Sequence, residues 1–315
     1  MKVNQAKRTV REFNISLPAT SANLGPAFDA AALALDLALR VGAHKSRGFS
    51  INASGRDAEI CGLVQNHLIL TTYKEVLASE GRPAPALALA IDNGFPIGKG
   101  FGSSAAARLA GIALAVHFGH LKWSSSRIIA EASGREHHPD NAAACWMGGV
   151  TVARMLGECE AQVARFVPKG KWPLLLAIPD ESLATEKARD VLPLEYSRAD
   201  AVANIQNSML LLVALFQGDR KMLASSLEDR IHQPYREQLC PLLPALRNFS
   251  DDCVLGTVLS GAGPSVLMFL DPQSRPEKVR TKIENHLREK GMQAELLLTS
   301  IARRGGEASF LRRSR

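Results

Sequence analysis

The chain has 315 residues, a length that favours two domains of roughly 150 residues each. Its 46% hydrophobic and 22% charged residues are typical of a globular protein with a full core, and its 5% aromatic content leaves few side chains to stack on nucleic-acid bases. The formal net charge of +7 comes largely from the two ends, and no basic run interleaved with aromatics lies between them. This pattern argues against a nucleic-acid-binding protein, whereas a positive field suits an anionic substrate.

The cysteines and the apolar runs bear on location. Five cysteines are scattered without a CxxC pair or a metal-finger spacing, which is typical of reduced thiols. No apolar core of signal-peptide length precedes Pro18, and the sequence has no charge-free run of about 18 apolar residues. We therefore expect a cytoplasmic protein without a membrane span.

The first half combines short apolar runs with helical patterns. Strands are predicted at Val10–Leu17, Leu33–Val41, Gly48–Ala53, Ala86–Ile91 and Gly148–Arg154. Helices are predicted at Gln65–Glu80, Ser103–Phe118 and Trp123–Ala132. The stretch PATSANLGPAFDAAA, residues 18–32, is rich in Pro, Ser, Asn and Gly and predicts a loop.

The second half follows a diffuse boundary within Gly157–Lys171. Strands are predicted at Trp172–Ile178, Val254–Leu259, Val266–Leu270 and Ala294–Leu298. Helices are predicted at Asp200–Phe216, Asp219–Leu227 and Pro276–Lys290. Because strands and helices mix without strict βαβ alternation, the pattern favours an α+β fold.

A glycine loop carries the clearest chemical signal. Residues 96–106 read PIGKGFGSSAA and lead into the helix predicted from Ser103. A Walker P-loop does not fit, because Gly94 is one position too close and Gly100 follows Lys99 where Ser or Thr is required. Glycines that permit positive φ, followed by a helix N-terminus, still suit a phosphate. For the cluster alone, an ordinary glycine turn with a serine cap is the alternative.

The motifs together resemble the GHMP kinase superfamily. Its phosphate loop reads roughly PxGxGLGSSAA, and its C-terminal glycine loop resembles LSGAGPS at Leu259–Ser265. Within the superfamily the homoserine kinase family is the nearest likeness: PATSANLGPAFD at Pro18–Asp29 is similar to its PATSANLGPGFD, and EHHPDNAAACWMGG at Glu136–Gly149 to its EGHPDNVAPALLGG. The departures are Ala27 and His137, each in place of glycine, and residues 144–147.

The resemblance implies a two-domain α+β fold. Its N-terminal ATP-binding domain, residues 1–165, would be ribosomal protein S5-like, and its C-terminal domain, residues 166–315, ferredoxin-like. If the backbone at Ala27 needs a positive φ, alanine there costs about 1 kcal/mol.

The resemblance also implies roles for individual residues. ATP would be held by Asn66 near the adenine and by the phosphate loop Pro96, Ile97, Gly98, Lys99, Gly100, Phe101, Gly102, Ser103, Ser104, Ala105 and Ala106. The amino-acid substrate would be held by Asn23, Asp29, His138, Arg189 and Arg236, the arginines gripping its carboxylate. Read singly, each of these has a plainer interpretation as a turn, cap or surface ion-pair residue.

The resemblance further implies which residues bind magnesium and how the phosphoryl group is transferred. Ser104 and Glu131 would bind Mg²⁺ through hard oxygens, with a solvated helix carboxylate as the alternative for Glu131. Asn141 lies seven residues before Gly148, where mevalonate kinases have a catalytic Asp, and asparagine cannot act as a base. The resemblance therefore implies direct attack, which phosphoryl transfer allows because positioning and charge neutralisation supply most of its catalysis.

The expected function is phosphorylation of L-homoserine by ATP in threonine biosynthesis. The expected partners are the two small substrates, with no nucleic acid and no membrane, and a homodimer is left open. The alternatives are another GHMP kinase with a different alcohol substrate, or a non-catalytic member of the superfamily that acts as a sensor.

Overall fold

The computed structural model of the protein describes residues 13–311. The start of the strand predicted at Val10–Leu17 and several of the basic terminal residues lie outside this range. Within it, the structure is an α+β arrangement of two sheets with helices packed on them, which confirms the predicted fold class.

Ten strands form the two sheets. Their bounds are β1 Phe13–Ala22, β2 Ala31–Lys45, β3 Ser50–Gly55, β4 Leu87–Asn93, β5 Val150–Met155, β6 Ala161–Phe166, β7 Leu174–Ile178, β8 Val254–Leu259, β9 Val266–Leu270 and β10 Glu295–Thr299.

Twelve α-helices occur in the described chain. They are α1 Ala58–Cys61, α2 Leu68–Ser79, α3 Ser103–Phe118, α4 Ser125–Glu136, α5 Asp140–Met147, α6 Thr185–Asp190, α7 Arg198–Gln217, α8 Arg220–Ser226, α9 Gln233–Arg236, α10 Leu242–Arg247, α11 Pro276–Glu289 and α12 Gly306–Leu311. A short 3-10 turn, Glu237–Leu239, follows α9.

The first sheet has six strands built around the long β2. Its order is β3-β4-β2-β5-β6, with β1 also paired to β2. All pairs are antiparallel except β3 with β4. Strand β2 pairs with β1 over most of its length, and it also pairs with β5 at Ala31–Leu33 and with β4 at Leu39–Lys45. The β1–β2 ladder therefore runs through the middle of this half and carries the residues that follow it toward the cleft.

The second sheet has the strand order β10-β7-β9-β8, and every pair in it is antiparallel. In chain order this is a 4-1-3-2 arrangement with helices before β8 and before β10. That is the ferredoxin-like topology expected for the second half.

Helix α3 is the buried centre of the first half. Small side chains cover it on all sides, and it is buried almost throughout, as expected for a helix that is apolar all round. A Cβ at Gly111 would collide with the Ile69 carbonyl oxygen of α2, so glycine is what allows the two helices to pack closely. This packing fixes the direction in which the N-terminus of α3 points.

The structure differs from the predicted elements at several places. Strand β1 continues through Ala22, so residues 18–22 are strand and not loop. The described structure also contains α5 and β6, which were not predicted, and β6 lies within the expected boundary segment Gly157–Lys171. The small and polar residues of these elements give no clear helical or strand pattern in the sequence, and tertiary contacts hold them in place.

The last described residues return to the first half. Ile301 bridges to Leu35, and the Phe310 ring lies 5.4 Å from the Trp146 ring. The domain limits 1–165 and 166–315 stay a prediction, and these contacts show that the last described residues pack on the first sheet.

Candidate active site

A cleft of ≈ 590 Å³ separates the glycine loop from the loops of the second half. The residues that line it come from at least five places: the loop after β1, the α1–α2 connection with the end of β4, the glycine loop with the start of α3, the α4–α5 connection, and the second-half segments around α6, α9 and Gly261. The cleft thus joins segments that are far apart in the sequence.

The glycine loop has the backbone that its composition predicts. Gly98, Gly100 and Gly102 have φ values of 71°, 82° and 65°. A Cβ on Gly100 would collide with the Ser260 carbonyl oxygen, and the Ser260 hydroxyl donates to the Gly100 carbonyl at 2.7 Å. The second glycine loop therefore supports the first one from behind.

Not every residue of the predicted phosphate loop faces the cleft. Ile97, Gly98, Gly100, Gly102, Ser103 and Ser104 line it. Phe101, Ala105 and Ala106 are buried in the core, and the Lys99 ammonium donates to the Pro179 carbonyl at 2.8 Å across the second half. Neither Pro96 nor Lys99 is among the described lining residues, so side-chain contact with ATP is expected mainly from the serines.

The carboxylate beside Ser104 is Glu136, not Glu131. Ser104 Oγ donates to Glu136 Oε1 at 2.6 Å, and Arg108 Nε donates to the same oxygen at 2.5 Å. Glu131 instead forms an i,i+4 ion pair with Arg135 at 3.0 Å and does not line the cleft. The carboxylate that reaches α3 is that of Glu136, at the last turn of α4, so Glu131 as the partner of Ser104 at a magnesium ion stays a prediction that these contacts do not support.

Asn141 stands at the start of α5, where its side chain faces the glycine loop. Thr20 Oγ1 donates to Asn141 Oδ1 at 2.6 Å, and Thr20 is fully buried. No hydrogen bond within residues 13–311 uses Asn141 Nδ2, and the residue lines the cleft. Since Oδ1 is taken by the threonine, the group left for a ligand is the Nδ2 donor.

Asp140 lines the cleft, and its Oδ1 holds His138, while its buried Oδ2 has no hydrogen-bond partner among the described residues. His138 Nδ1 donates to Asp140 Oδ1 at 2.5 Å, and both side chains are buried. Burial opposes the charged imidazolium, but the hydrogen bond and the charge of Asp140 outweigh it and raise the pKa of His138. Asp29, His138 and Asp140 lie close enough to share a cation, so this corner of the cleft favours positive charge.

Asn23 and Asp29 form one structural unit in the loop after β1. Asn23 Oδ1 accepts from the Asp29 amide at 3.0 Å, and its Nδ2 donates to the Gly261 carbonyl at 2.9 Å. Both ends of the Asn23 amide are thus engaged within the protein. The Asp29 carboxylate accepts two hydrogen bonds from Arg189, at 2.7 and 3.0 Å, so two residues predicted to hold opposite ends of a substrate here hold each other.

Arg236 is a buried cation held only by neutral groups. It is 1% exposed, Nε donates to the Ala188 carbonyl at 2.8 Å, and Nη1 donates to His232 Nδ1 at 3.1 Å. Burial and the charge of Arg189 lower the pKa of Arg236 to about 10, which leaves it protonated at neutral pH. Among the described residues no carboxylate forms an ion pair with it, which makes it a site for an anion.

His232 keeps Arg236 in place as a neutral imidazole. His232 Nε2 donates to the Gly25 carbonyl at 2.8 Å, which leaves Nδ1 to accept from the guanidinium. Burial lowers the pKa of His232 to about 4. Phe28 stacks on the imidazole at 5.2 Å and lies beside both arginines, 5.2 Å from Arg236 and 5.5 Å from Arg189.

The other end of the cleft is apolar. Asn66, with φ 56°, lies in the connection before α2 and lines the cleft beside Leu63, Ile69 and Phe95. An apolar wall with a few polar side chains beside it suits a purine ring, and the role expected for Asn66 stays a prediction.

The two glycine replacements have different consequences. Ala27 is buried and is not among the described residues with positive φ, so alanine fits this backbone without the expected cost. His137 caps α4 with φ 67°, in the left-handed region that favours glycine. The strain therefore lies at His137.

Four residues of the site were not singled out from the sequence: Thr20, Phe28, Glu136 and His232. Three of them lie within the motifs already quoted, at Pro18–Asp29 and Glu136–Gly149. The clue for Glu136 was its place at the start of the EHHPDN motif, two residues before His138. The signal for His232 was its place four residues before Arg236, a spacing that brings two side chains together on a helix.

Family models and curated relatives show which proteins this chain is similar to. The family model for the GHMP kinases N terminal domain matches residues 67–149, and that for the GHMP kinases C terminal matches residues 211–289. A homoserine kinase of Solibacter usitatus is 41% identical over 94% of this chain and 96% of its own length. A homoserine kinase of Synechococcus is 35% identical over 92% of this chain and 96% of its own length.

Solved structures give the same fold. The crystal structure of a homoserine kinase from Cytophaga hutchinsonii matches with a TM-score of 0.80 at 22% identity, covering 95% of this chain and 98% of that one. The mevalonate kinase of L. major matches with a TM-score of 0.69 at 15% identity, covering 92% of this chain and 95% of that one. At these identities the likeness concerns the fold alone, and it confirms the two-domain arrangement. With both family models matched and curated relatives aligned over nearly the whole length, the chain belongs to the GHMP kinase family and, within it, to the homoserine kinases.

Proposed function

We propose that the protein transfers the γ-phosphoryl group of ATP to the side-chain hydroxyl of L-homoserine, giving O-phospho-L-homoserine and ADP for threonine biosynthesis. The curated relatives that are 41% and 35% identical to this chain carry the name homoserine kinase, which supports the proposal. The free cysteines at scattered positions support a cytoplasmic location.

The observation that carries the substrate assignment is the charge arrangement around Phe28. Arg236 is a buried guanidinium without a carboxylate partner in the described chain, and the Asp29 carboxylate lies on the same wall of the cleft. A buried charge requires a counter-ion or strong hydrogen bonds. An α-amino acid supplies one carboxylate and one ammonium, which match Arg236 and Asp29.

The substrate can replace the ion pair between Arg189 and Asp29, because its two charged groups can bind one partner each. In our proposal the substrate ammonium takes the place of Arg189 on Asp29, and the freed Arg189 turns to the substrate carboxylate beside Arg236. Both side chains are about one-third exposed, so the pair can open without unfolding the loop. Asn23 acts by holding Asp29, since its own amide is already engaged.

ATP would lie with its purine against Leu63, Ile69 and Phe95 and its phosphates against the glycine loop. The first turn of α3 presents amide groups that have no partner within the helix, and its dipole favours an anion. Of the loop side chains, Ser103 would add a hydroxyl donor, since the Ser104 hydroxyl already donates to Glu136.

The residues at the head of α3 fit a magnesium ion. Ser104 Oγ and a Glu136 oxygen are 2.6 Å apart at the cleft, and hard oxygen ligands of this kind suit Mg²⁺ held together with phosphates. When bound, the ion would neutralise charge on the phosphate oxygens. We therefore assign the carboxylate ligand to Glu136 in place of Glu131.

The transfer itself needs no strong base in this site. The homoserine oxygen forms a bond to the γ-phosphorus as the bond from that phosphorus to the bridging oxygen of ADP breaks, and the hydroxyl proton leaves late, to the transferred group. A loose transition state makes positioning and charge neutralisation the main requirements. Asn141 Nδ2, fixed through Thr20, would donate a hydrogen bond to the reacting oxygens.

A substrate panel tests the proposal by coupled ADP release. L-homoserine should give magnesium-dependent turnover, whereas 4-hydroxybutyrate lacks the ammonium, 3-aminopropan-1-ol lacks the carboxylate, and both should fall by at least a hundredfold in kcat/KM. Mevalonate in the same panel tests for a different alcohol substrate. Turnover of mevalonate but not of homoserine would contradict the substrate assignment, and nucleotide binding without any ADP release would indicate a non-catalytic family member.

A further inference from the structure

A segment of the second half runs along the cleft from the glycine loop to the substrate loop. Residues 180–190, here called the strap, follow β7 and include α6. Most of the strap is exposed, and four of its residues line the cleft: Leu183, Ala184, Thr185 and Arg189. Among the described residues, no strap side chain other than that of Arg189 forms a hydrogen bond or an ion pair. The strap is therefore held at a few points only.

One end of the strap is tied to the residues expected to hold the amino acid. Arg189 donates two hydrogen bonds to the Asp29 carboxylate, at 2.7 and 3.0 Å. The Ala188 carbonyl accepts a hydrogen bond from Arg236 Nε at 2.8 Å. The position of this end therefore decides where the Arg189 guanidinium stands relative to Arg236.

The other end of the strap is tied to the glycine loop. The Leu183 amide donates to the Gly98 carbonyl at 3.3 Å, and Lys99 Nζ donates at 2.8 Å to the carbonyl of Pro179, the residue directly before the strap. The amide bond is long for its type, whereas the bond from the ammonium group is short and charge-assisted. The lysine is therefore the main attachment at this end.

The charge of Lys99 is compensated by the second half. Strand β10 begins at Glu295, which pairs with Ile178 at the end of β7, next to Pro179. The pKa of the Glu295 carboxyl is lowered first by its hydrogen bond to Arg56 and further by the charge of Lys99. Lys99 itself is not among the described residues that line the cleft. A phosphate would have to draw the ammonium group away from both a carbonyl and a carboxylate.

We propose that Lys99 is a positioning residue for the amino-acid substrate and not a ligand of the ATP phosphates. It fixes the strap so that Arg189 stands at the substrate loop. The inference rests on the proposed function, which places the amino acid between Arg236 and Asp29.

A strap released at Lys99 holds Arg189 within reach of the substrate for a smaller fraction of the time. The apparent affinity for homoserine falls with that fraction, because only the closed strap presents both arginines to the carboxylate. The glycine loop keeps its own backbone, which glycine sterics and the Ser260 hydrogen bond determine, so ATP binding is unaffected.

Steady-state kinetics of Lys99→Met tests the role of the ammonium group. The KM for homoserine should rise by about tenfold, as expected for the loss of a hydrogen bond from a charged donor, while the KM for ATP stays within about twofold. Lys99→Arg keeps a charged donor and should recover most of the homoserine affinity. Lys187→Met is the matched control, because Lys187 is an exposed strap lysine without a hydrogen bond or ion pair among the described residues, and it should behave as the wild type. A higher KM for ATP with an unchanged KM for homoserine would overturn the proposal.

Hydrogen–deuterium exchange measures the strap without turnover. In the substrate-free protein, peptides that cover residues 180–190 should exchange about tenfold faster in Lys99→Met than in the wild type, because the strap opens more often. Peptides from β2 and β9 should exchange equally in both proteins, which excludes general unfolding. Unchanged exchange of the strap, or faster exchange with an unchanged KM for homoserine, would overturn the proposal. Faster strap exchange in a protein that does not phosphorylate homoserine at all would contradict the proposed function, while the attachment through Lys99 would stand.

Discussion

Thr20 Oγ1 donates a 2.6 Å hydrogen bond to Asn141 Oδ1, joining the first strand to the start of α5 across 121 residues of sequence. The bond fixes which end of the Asn141 amide faces the cleft. A Cβ at Gly102 would collide with Thr20 Oγ1, so the glycine loop is built around this pair.

Thr20→Val keeps the shape of the side chain and removes the donor. We expect kcat to fall by about 10- to 100-fold, because a misplaced reacting group is costly in phosphoryl transfer, while the KM values change little. Thr20→Ser should recover most of the activity, and steady-state kinetics with both substrates measures the difference. A wild-type kcat in Thr20→Val would show that the hydroxyl does not position Asn141. An equally low kcat in Thr20→Ser and Thr20→Val would show the same.

Substitution of each of the two glutamates of α4 should have a different effect on kcat and on the magnesium requirement. Glu136→Gln removes a charged oxygen beside Ser104 and should lower kcat by about 100-fold while raising the magnesium concentration needed for half-maximal rate. Glu131→Gln disturbs two i,i+4 ion pairs, with Arg127 and Arg135, outside the cleft and should stay within about threefold of the wild type. A magnesium titration of both variants measures this, and the reverse order would restore Glu131 as the ligand.

Arg236→Met should act mainly on the amino-acid substrate. A hydrogen bond to a charged group is worth about 1.5–3 kcal/mol, so the KM for homoserine should rise by roughly 10- to 150-fold with the KM for ATP near its original value. Arg220→Met is the control, because this arginine pairs with Asp271 outside the cleft. Loss of ATP binding in Arg236→Met with homoserine binding retained would count against the substrate pose.

Acid should destabilise the protein through His232. Its folded pKa is lowered to about 4 from an ordinary 6.5, so between these values the unfolded chain binds a proton that the folded chain does not. Stability is therefore lost as the pH falls from 6.5 towards 4, by about 3 kcal/mol from this group. Urea unfolding across this range should show a shallower loss for His232→Gln than for the wild type, and parallel curves would contradict the assignment.

His137→Gly should stabilise the protein. A non-glycine residue in the left-handed region costs roughly 1 kcal/mol, and glycine removes most of this strain at the end of α4. His137→Ala keeps the unfavourable φ and should not give the gain. Thermal and urea unfolding compare the three proteins, and equal effects of glycine and alanine would show that the His137 conformation is not strained.

The sequence determined a large part of the fold and the general kind of site. Ser103–Phe118, Val254–Leu259 and Val266–Leu270 occur with the predicted bounds, because their apolar patterns are strong and local. The glycines of residues 98–102 likewise have the predicted positive φ, since glycine lacks the Cβ that disfavours this region.

What the tertiary structure decided is which side chains meet. Both Glu131 and Glu136 lie on α4, and only the packing of α4 against α3 brings Glu136 to Ser104 while Glu131 turns to Arg135. Likewise, the neutral state of His232 and the unpaired charge of Arg236 depend on burial by segments more than 200 residues apart in the chain. Local pattern specifies backbone conformation, but desolvation and hydrogen-bond partners are set by neighbours that only the folded chain brings together.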